Sequence, residues 1–338
     1  MMKNNRFSML DSLNIILSTP GLKKWFGIFF NEEQLQLFPK ELWNQPMRLI
    51  AYRGVTPWGS NLQGLAEQIV DTANLILELL NGERRCLHLR DWQEWEPATD
   101  GAYHEQNFII TPGMEEKSEL KPALIICPGG GYEYVSFQNE GTPIQNLAER
   151  QGYAAFVLCY RVAPFRYPEP QMDLLETIRY VREHAAEYHV DPKRIAIIGF
   201  SAGGHLCASA AALYRTLLPE AEPNAVALGY PVISFEKGVT HEGSVFGLLG
   251  QDDEELRRRF SVENMIENDY PPTFAWACED DGTVPCENTK RLEARLQEKG
   301  IAHECHYYPS GGHGCGLAYD NSAWSWSVDL FSFLKKYV

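Results

Sequence analysis

Arg194-Ile195-Ala196-Ile197-Ile198-Gly199-Phe200-Ser201-Ala202-Gly203-Gly204-His205-Leu206 decides the architecture of this chain. Its first half is an unbroken apolar run of strand length. Its second half opens a helix, and between them sits a serine flanked by glycines in a G-x-S-x-G frame. Five residues of that kind are a weak signal alone. Placed between a buried strand and a helix, they describe a tight, strained turn that lifts a serine hydroxyl above the end of a sheet. The helix that follows points its free amides at any negative charge that develops there.

Other short apolar runs share the pattern of 194–199. They lie at 107–110, 123–127, 154–160, 225–229, 273–278 and 303–308, and helical stretches near 142–150, 171–188, 202–216, 287–299 and 322–336 separate most of them. Strands that are apolar throughout and alternate with helices predict a mostly parallel central sheet covered on both faces. The charged segment 233–270 contains Asp252-Asp253-Glu254-Glu255 and Arg257-Arg258-Arg259 and interrupts this rhythm. It reads as a helical, lid-like insertion over one edge of the sheet.

A serine hydroxyl needs a base, and the base needs an orienting acid. The base should stand in a loop at a strand end. His313, in Gly311-Gly312-His313-Gly314 after the last strand, meets that condition. His205 is the rival, but it lies one helical turn beyond Ser201 and should point behind the nucleophile. The acid should fall between serine and histidine in the chain. Glu279-Asp280-Asp281 follows the strand 273–278, and Asp281 is preferred, with Asp280 and Glu279 as turn or capping acids. Acyl transfer also needs amides aimed at the developing oxyanion. Pro128-Gly129-Gly130-Gly131-Tyr132 follows the strand 123–127, so the amides of Gly130, Gly131 and Ala202 are the expected donors. Neither a Lys-Ser/Thr pair nor a G-x-G-x-x-G frame accompanies those glycines, which excludes a nucleotide loop.

Residues 1–85 differ in texture. Apolar residues at 62, 65, 66, 69, 70, 73, 76, 77 and 80 have helical spacing, with Asn81-Gly82 as a stop. This part is read as a mainly helical extension, serving as a cap or an interface, ahead of a catalytic domain over 86–338. The aromatic cluster Trp25, Phe26, Phe29 and Phe30 reads as buried core or interface. The first residues lack the order of a secretory signal, and no run of 18 apolar residues provides a membrane span. The eight cysteines include no Cys-x-x-Cys pair, and several sit within strands. They fit free buried thiols in a reducing cytosol, so a cytoplasmic location is expected. Cys305 flanked by His303 and His306 alternates between strand faces and is no zinc site. The formal net charge of −15 disfavours nucleic acid and anionic membranes as partners.

Glycine loop, Ser201, Asp281 and His313 in this order resemble the α/β-hydrolase superfamily. From about 122 to 318 the chain resembles its acetylxylan-esterase and feruloyl-esterase-like branch, through Tyr160-Arg161-Val162-Ala163-Pro164, Asp191-Pro192-Lys193-Arg194-Ile195 and Asp281-Gly282-Thr283-Val284-Pro285 as well. Pro128 stands where hormone-sensitive-lipase relatives carry histidine, which argues against that branch. The resemblance implies hydrolysis of small acyl esters, often acetyl groups on sugars or xylo-oligosaccharides, with no metal or organic cofactor. The oligomeric state, homo-oligomer or not, is left open. A prolyl-oligopeptidase-type serine peptidase and a catalytically silent binding protein are the alternatives. The first lacks room for its usual propeller, and the second usually loses Ser or His.

Overall fold

The computed structural model describes residues 6–30, 35, 37–51, 62–97, 107–114, 119–319 and 321–338. The basic start Met2-Lys3-Asn4-Asn5, weighed above as a leader, lies outside the described residues. The apolar runs form one eight-stranded sheet in the order β1-β2-β4-β3-β5-β6-β7-β8. The strands are β1 Cys86–His88, β2 Phe108–Ile110, β3 Lys121–Cys127, β4 Ala154–Cys159, β5 Val190–Phe200, β6 Ala225–Gly229, β7 Thr273–Cys278 and β8 His303–Tyr308. From β4 to β8 neighbouring strands are parallel, while β1 and β2 are antiparallel additions at one edge. β3, β4, β6 and β7 are buried along almost their whole length, as expected for strands covered on both faces. The C-terminal ends of β3, β5, β7 and β8 therefore open onto one rim, and each carries one of the loops singled out above.

Helices Glu169–Glu183 and Ala202–Leu217 pack on each other and on β5. Helix Thr142–Arg150 packs on β4, and helix Trp326–Leu334 on β7. β1 escapes sequence reading, because Cys-Leu-His is too short to display any period.

The extension contributes helices Leu13–Ser18, Leu22–Phe29, Met47–Ala51 and Leu62–Leu80. Trp25, Phe26, Phe29 and Phe30 are all buried. Trp25 meets Trp95 edge-on at 5.8 Å, Trp95 stacks on Phe108 at 4.6 Å, and Phe29 meets Phe137 at 5.1 Å. The extension is thus welded to the sheet through an aromatic layer, each ring of which contributes about 2–3 kcal/mol by burial. Helix Leu62–Leu80 is also tied to helix Thr142–Arg150 by buried Arg84, which donates to both Glu149 oxygens at 2.6 and 2.7 Å and to Glu78.

The insertion contains helices Glu242–Leu249 and Glu254–Phe260. It joins β6 to β7, both interior strands, and its final turn packs on helices Ala202–Leu217 and Glu287–Glu298. Gly247 abuts the Gly131 carbonyl so closely that an added Cβ would lie 2.3 Å from it. Within the insertion's charged run Arg257 is buried and donates to Asp252 at 2.5 Å, Glu242 at 2.5 Å and the Phe235 carbonyl at 2.9 Å, while Asp252, Asp253, Glu254, Glu255, Arg258 and Arg259 are exposed. Among the described residues, no helix is long and apolar enough to cross a membrane.

Candidate active site

β5 ends at Phe200 and helix Ala202–Leu217 begins two residues later, which leaves Ser201 alone to turn the chain. It does so at φ 53°, ψ −120°, a left-handed backbone rarely taken by residues other than glycine. Backbone hydrogen bonds hold the turn: the Ser201 amide donates to the Gly229 carbonyl at 3.0 Å, while its own carbonyl accepts from Gly204 and Val232 at 3.0 Å each and from His205 at 3.2 Å.

His313 Nε2 lies 2.8 Å from Ser201 Oγ, and His313 Nδ1 lies 2.7 Å from Asp281 Oδ2. Asp281 is held by the backbone of its own turn, where Oδ1 accepts from the Thr283 and Val284 amides at 2.9 Å each. A carboxylate that only accepts fixes the proton on Nδ1 and leaves Nε2 to face the hydroxyl. Asp280, expected to serve its turn, reaches across to the histidine loop and accepts from Gly311 at 3.0 Å and Gly312 at 2.8 Å. The structure thus brings together Ser201, Asp281 and His313. It leaves Glu279 outside, with its amide bonded to the Tyr308 carbonyl.

Gly130 and Gly131 line the same cleft as Ser201, and both have positive φ, 127° and 66°. A Cβ on Gly130 would lie 2.1 Å from the Tyr134 carbonyl, so only glycine fits that turn. Ala202 is the first residue of its helix, where an amide has no partner within the helix.

The rival base is disposed of by its contacts. His205 is fully buried, stacked on Phe235 at 4.3 Å. Its Nε2 donates to the Phe260 carbonyl at 2.8 Å, so its Nδ1 accepts from the Tyr132 hydroxyl at 2.9 Å. Burial pushes its pKa down to about 4, against an ordinary value near 6.5. A group depressed in this way takes up a proton on unfolding between those two pH values. Its contribution to stability is therefore complete above pH 6.5 and is lost as pH falls toward 4. We expect a loss of about 2–3 kcal/mol from this residue between pH 7 and pH 4.5. Urea unfolding of His205→Gln should show a flatter pH dependence across that window, and identical slopes would refute the assignment.

Two residues escaped sequence reading. Glu140 is buried, and its Oε2 accepts from the Gly129 amide at 2.7 Å while its Oε1 accepts from the Tyr230 hydroxyl at 2.6 Å. Burial raises its pKa, opposed by those two bonds and by the charge of His313. The Tyr230 hydroxyl in turn accepts from the Gly316 amide at 3.1 Å, and its ring lies 5.0 Å from that of His313. One carboxylate thus couples the glycine loop to the histidine loop. Tyr230, just past the end of β6, could have been found by inspecting every interior strand end. Glu140, in a π-turn over Phe137–Gly141, has no periodicity to betray it. Glu140→Gln cannot accept from both donors through one oxygen while its amide faces one of them. It should lower kcat for p-nitrophenyl acetate about tenfold or more with little change in KM. An unaltered kcat would show that the coupling is irrelevant to the site.

His241, from the insertion, also lines the cleft. Its Nδ1 accepts from the Ser244 amide at 3.2 Å, and burial followed by the neighbouring His313 lowers its pKa. The whole cleft measures about 970 Å³. Glu67, Asp71, Glu133 and Glu140 line it, and among the described residues no Lys or Arg does. Among the described residues, no cluster of His, Cys, Asp or Glu could hold a metal ion.

The BD-FAE family model matches residues 109–296, more than half of the chain. The chain belongs to the BD-FAE family. Ser201, Asp281 and the glycine loop fall inside the BD-FAE match, whereas His313 and helix Leu62–Leu80 fall outside it. The chain superposes on the acetyl ester-xyloside bifunctional hydrolase of Caldicellulosiruptor lactoaceticus with a TM-score of 0.64 and 32% identity, over 74% of this chain and 95% of that one. It superposes on the carboxylesterase Cest-2923 of Lactobacillus plantarum with a TM-score of 0.55 and 29% identity, over 64% and 82%. The fold is that of the α/β-hydrolases. In sequence it is 34% identical over 202 residues to the acetylxylan esterase of Xylanibacter ruminicola, covering 58% of this chain and 41% of the relative. It is 33% identical over 258 residues to endo-1,4-beta-xylanase B of Butyrivibrio fibrisolvens, covering 71% and 40%. The chain spans about two fifths of the length of these curated relatives.

Proposed function

We propose that this BD-FAE member is a serine carboxylic-ester hydrolase that removes acetyl groups from sugars or xylo-oligosaccharides. The observation that carries the reading is the chain of contacts from Asp281 through His313 to Ser201, at 2.7 and 2.8 Å. In this reading Ser201 Oγ attacks the ester carbonyl and His313 Nε2 takes its proton. Asp281 holds the tautomer and stabilises the imidazolium. The oxyanion forms beside the amides of Gly130, Gly131 and Ala202, each contributing about 3 kcal/mol to the transition state. His313 then protonates the leaving alcohol. Water, deprotonated by the same histidine, attacks the acyl-enzyme and frees Ser201.

Small acyl groups on hydrophilic alcohols suit a cleft with four carboxylates in its wall. The acetylated-xylan chemistry of the relatives' names points the same way. Five of the eight cysteines are buried and all are free, which supports residence in the cytoplasm. The test is a panel of p-nitrophenyl esters of increasing chain length beside acetylated xylo-oligosaccharides and aminoacyl amides. Hydrolysis should fall with acyl length, include release of acetate from the oligosaccharides, and be stopped by stoichiometric fluorophosphonate. Preference for the amides would overturn the reading in favour of a peptidase.

A further inference from the structure

We infer that helix Leu62–Leu80, which lies outside the family-matched region, supplies the site that recognises the alcohol half of the ester, and that it selects neutral polyols over anionic or apolar ones. Glu67, Gln68 and Asp71 lie on one face of this helix and line the same cleft as Ser201 and His313. All three are half-buried. Glu67 accepts from Gln63 at 3.1 Å, which leaves its second oxygen unused by that bond. Gln68 donates to Asn139 Oδ1 at 3.1 Å, and Asn139 donates to the Gly314 carbonyl at 2.6 Å, next to His313. The helix is therefore registered against the loop of the proposed base, and its carboxylates stand at a fixed position relative to the reacting centre. Tyr319, 64% exposed, also lines the cleft, and the charges of Asp71 and Glu67 hold its hydroxyl above the ordinary phenolic pKa after the larger effect of burial. The side chain of Asn146 donates to Asp71, and the charge of Arg150 acts on both Asp71 and Tyr319, though Arg150 is not among the described residues that line the cleft.

This set has a defined chemistry. Carboxylates accept hydrogen bonds from vicinal hydroxyls, and an exposed ring offers a face to the C–H side of a pyranose. The same carboxylates repel a uronate or phosphate, and among the described residues no Lys or Arg lines the wall to compensate. An apolar alcohol would strip water from them and return nothing. Neutral glycosides and cationic alcohols remain, and the face offered by the Tyr319 ring favours the glycoside.

The inference rests on the reading of Ser201 as an esterase nucleophile, and the test separates the two. Glu67→Gln and Asp71→Asn keep the shape of the wall and remove its charge. Each should lower kcat/KM for acetylated xylobiose about tenfold, mainly through KM, what one charge-assisted hydrogen bond contributes. p-Nitrophenyl acetate, too small to span the cleft, should be hydrolysed within twofold of the unsubstituted rate. The acetylated methyl glucuronoside, excluded by charge, should gain activity. Tyr319→Ala, at an exposed ring, should reproduce the loss on xylobiose without the gain on the uronate. Parallel losses on both neutral substrates, or no loss on either, would overturn the inference while leaving the esterase standing. A protein with no activity on p-nitrophenyl acetate would overturn the nucleophile and this subsite together.

Discussion

Ser201→Ala is expected to lower kcat for p-nitrophenyl acetate by about four orders of magnitude or more, with Tm within a few degrees of the unsubstituted protein. The size follows from what the side chain does. Without Oγ no acyl-enzyme forms, and His313 has only water to activate, held in no particular place. What would remain is the contribution of the amides proposed to hold the oxyanion, which act on whatever attacks. The small effect on stability follows from what the side chain touches: Oγ bonds His313 and no other described group, while the strained turn is held through the backbone of residue 201. Alanine meets the same positive-φ penalty as serine, so the substitution changes chemistry and leaves conformation alone. The experiment needs steady-state rates, a melting curve and fluorophosphonate labelling, which the variant should lose completely. A variant that melts normally and keeps more than a hundredth of its kcat would mean that the hydroxyl is not the nucleophile, however well it is placed.

The parts of the site that could be read from the sequence are those in which geometry forces composition. A buried parallel strand must be apolar throughout, so β3 to β7 are visible as runs, and a strained turn at the end of β5 needs glycines at its flanks. Ser201, Asp281 and His313 could be named because each stands in a loop after such a strand. The unreadable parts are those in which many compositions satisfy one geometry. Glu140 could have been any acceptor long enough to reach Gly129 and Tyr230, and nothing in Phe137-Gln138-Asn139-Glu140 marks it. Arg257 is the buried member of a charged run whose other members are exposed, and its guanidinium is paired with two carboxylates and a carbonyl, which nothing in the run Arg257-Arg258-Arg259 marks. The face of helix Leu62–Leu80 toward the cleft reads as an ordinary solvated face. That Glu67 and Asp71 look into a cleft depends on tertiary packing of this helix on helices Leu22–Phe29 and Thr142–Arg150 and on the turn Phe137–Gly141, distant in sequence.

Gly203→Ala should destabilise the fold by at least about 3 kcal/mol and lower Tm by about 4 °C or more, against the usual sign of this exchange in a helix. Alanine normally stabilises a helix interior by up to about 1 kcal/mol relative to glycine. Here the new Cβ would lie 2.1 Å from the Cys127 carbonyl oxygen and 2.5 Å from that of Pro128. Both are backbone atoms at the end of β3, so no side chain can swing aside to make room. Gly199 stands in the same position on the strand side, where a Cβ would lie 2.0 Å from the Gly203 carbonyl. Neither glycine adopts positive φ, so the requirement is for closeness and not for a left-handed backbone. That closeness brings the start of the helix, the end of β5 and the root of the glycine loop within one van der Waals layer of each other, and sets Ser201 against Gly129. Gly27 makes the control. It is exposed in helix Leu22–Phe29, and a Cβ there meets nothing within 4 Å. Gly27→Ala should therefore raise Tm slightly while Gly203→Ala lowers it. Equal effects of the two would mean that β3 and the helix after Ser201 can separate without cost, and the oxyanion loop would then have no fixed position relative to the serine it is proposed to serve.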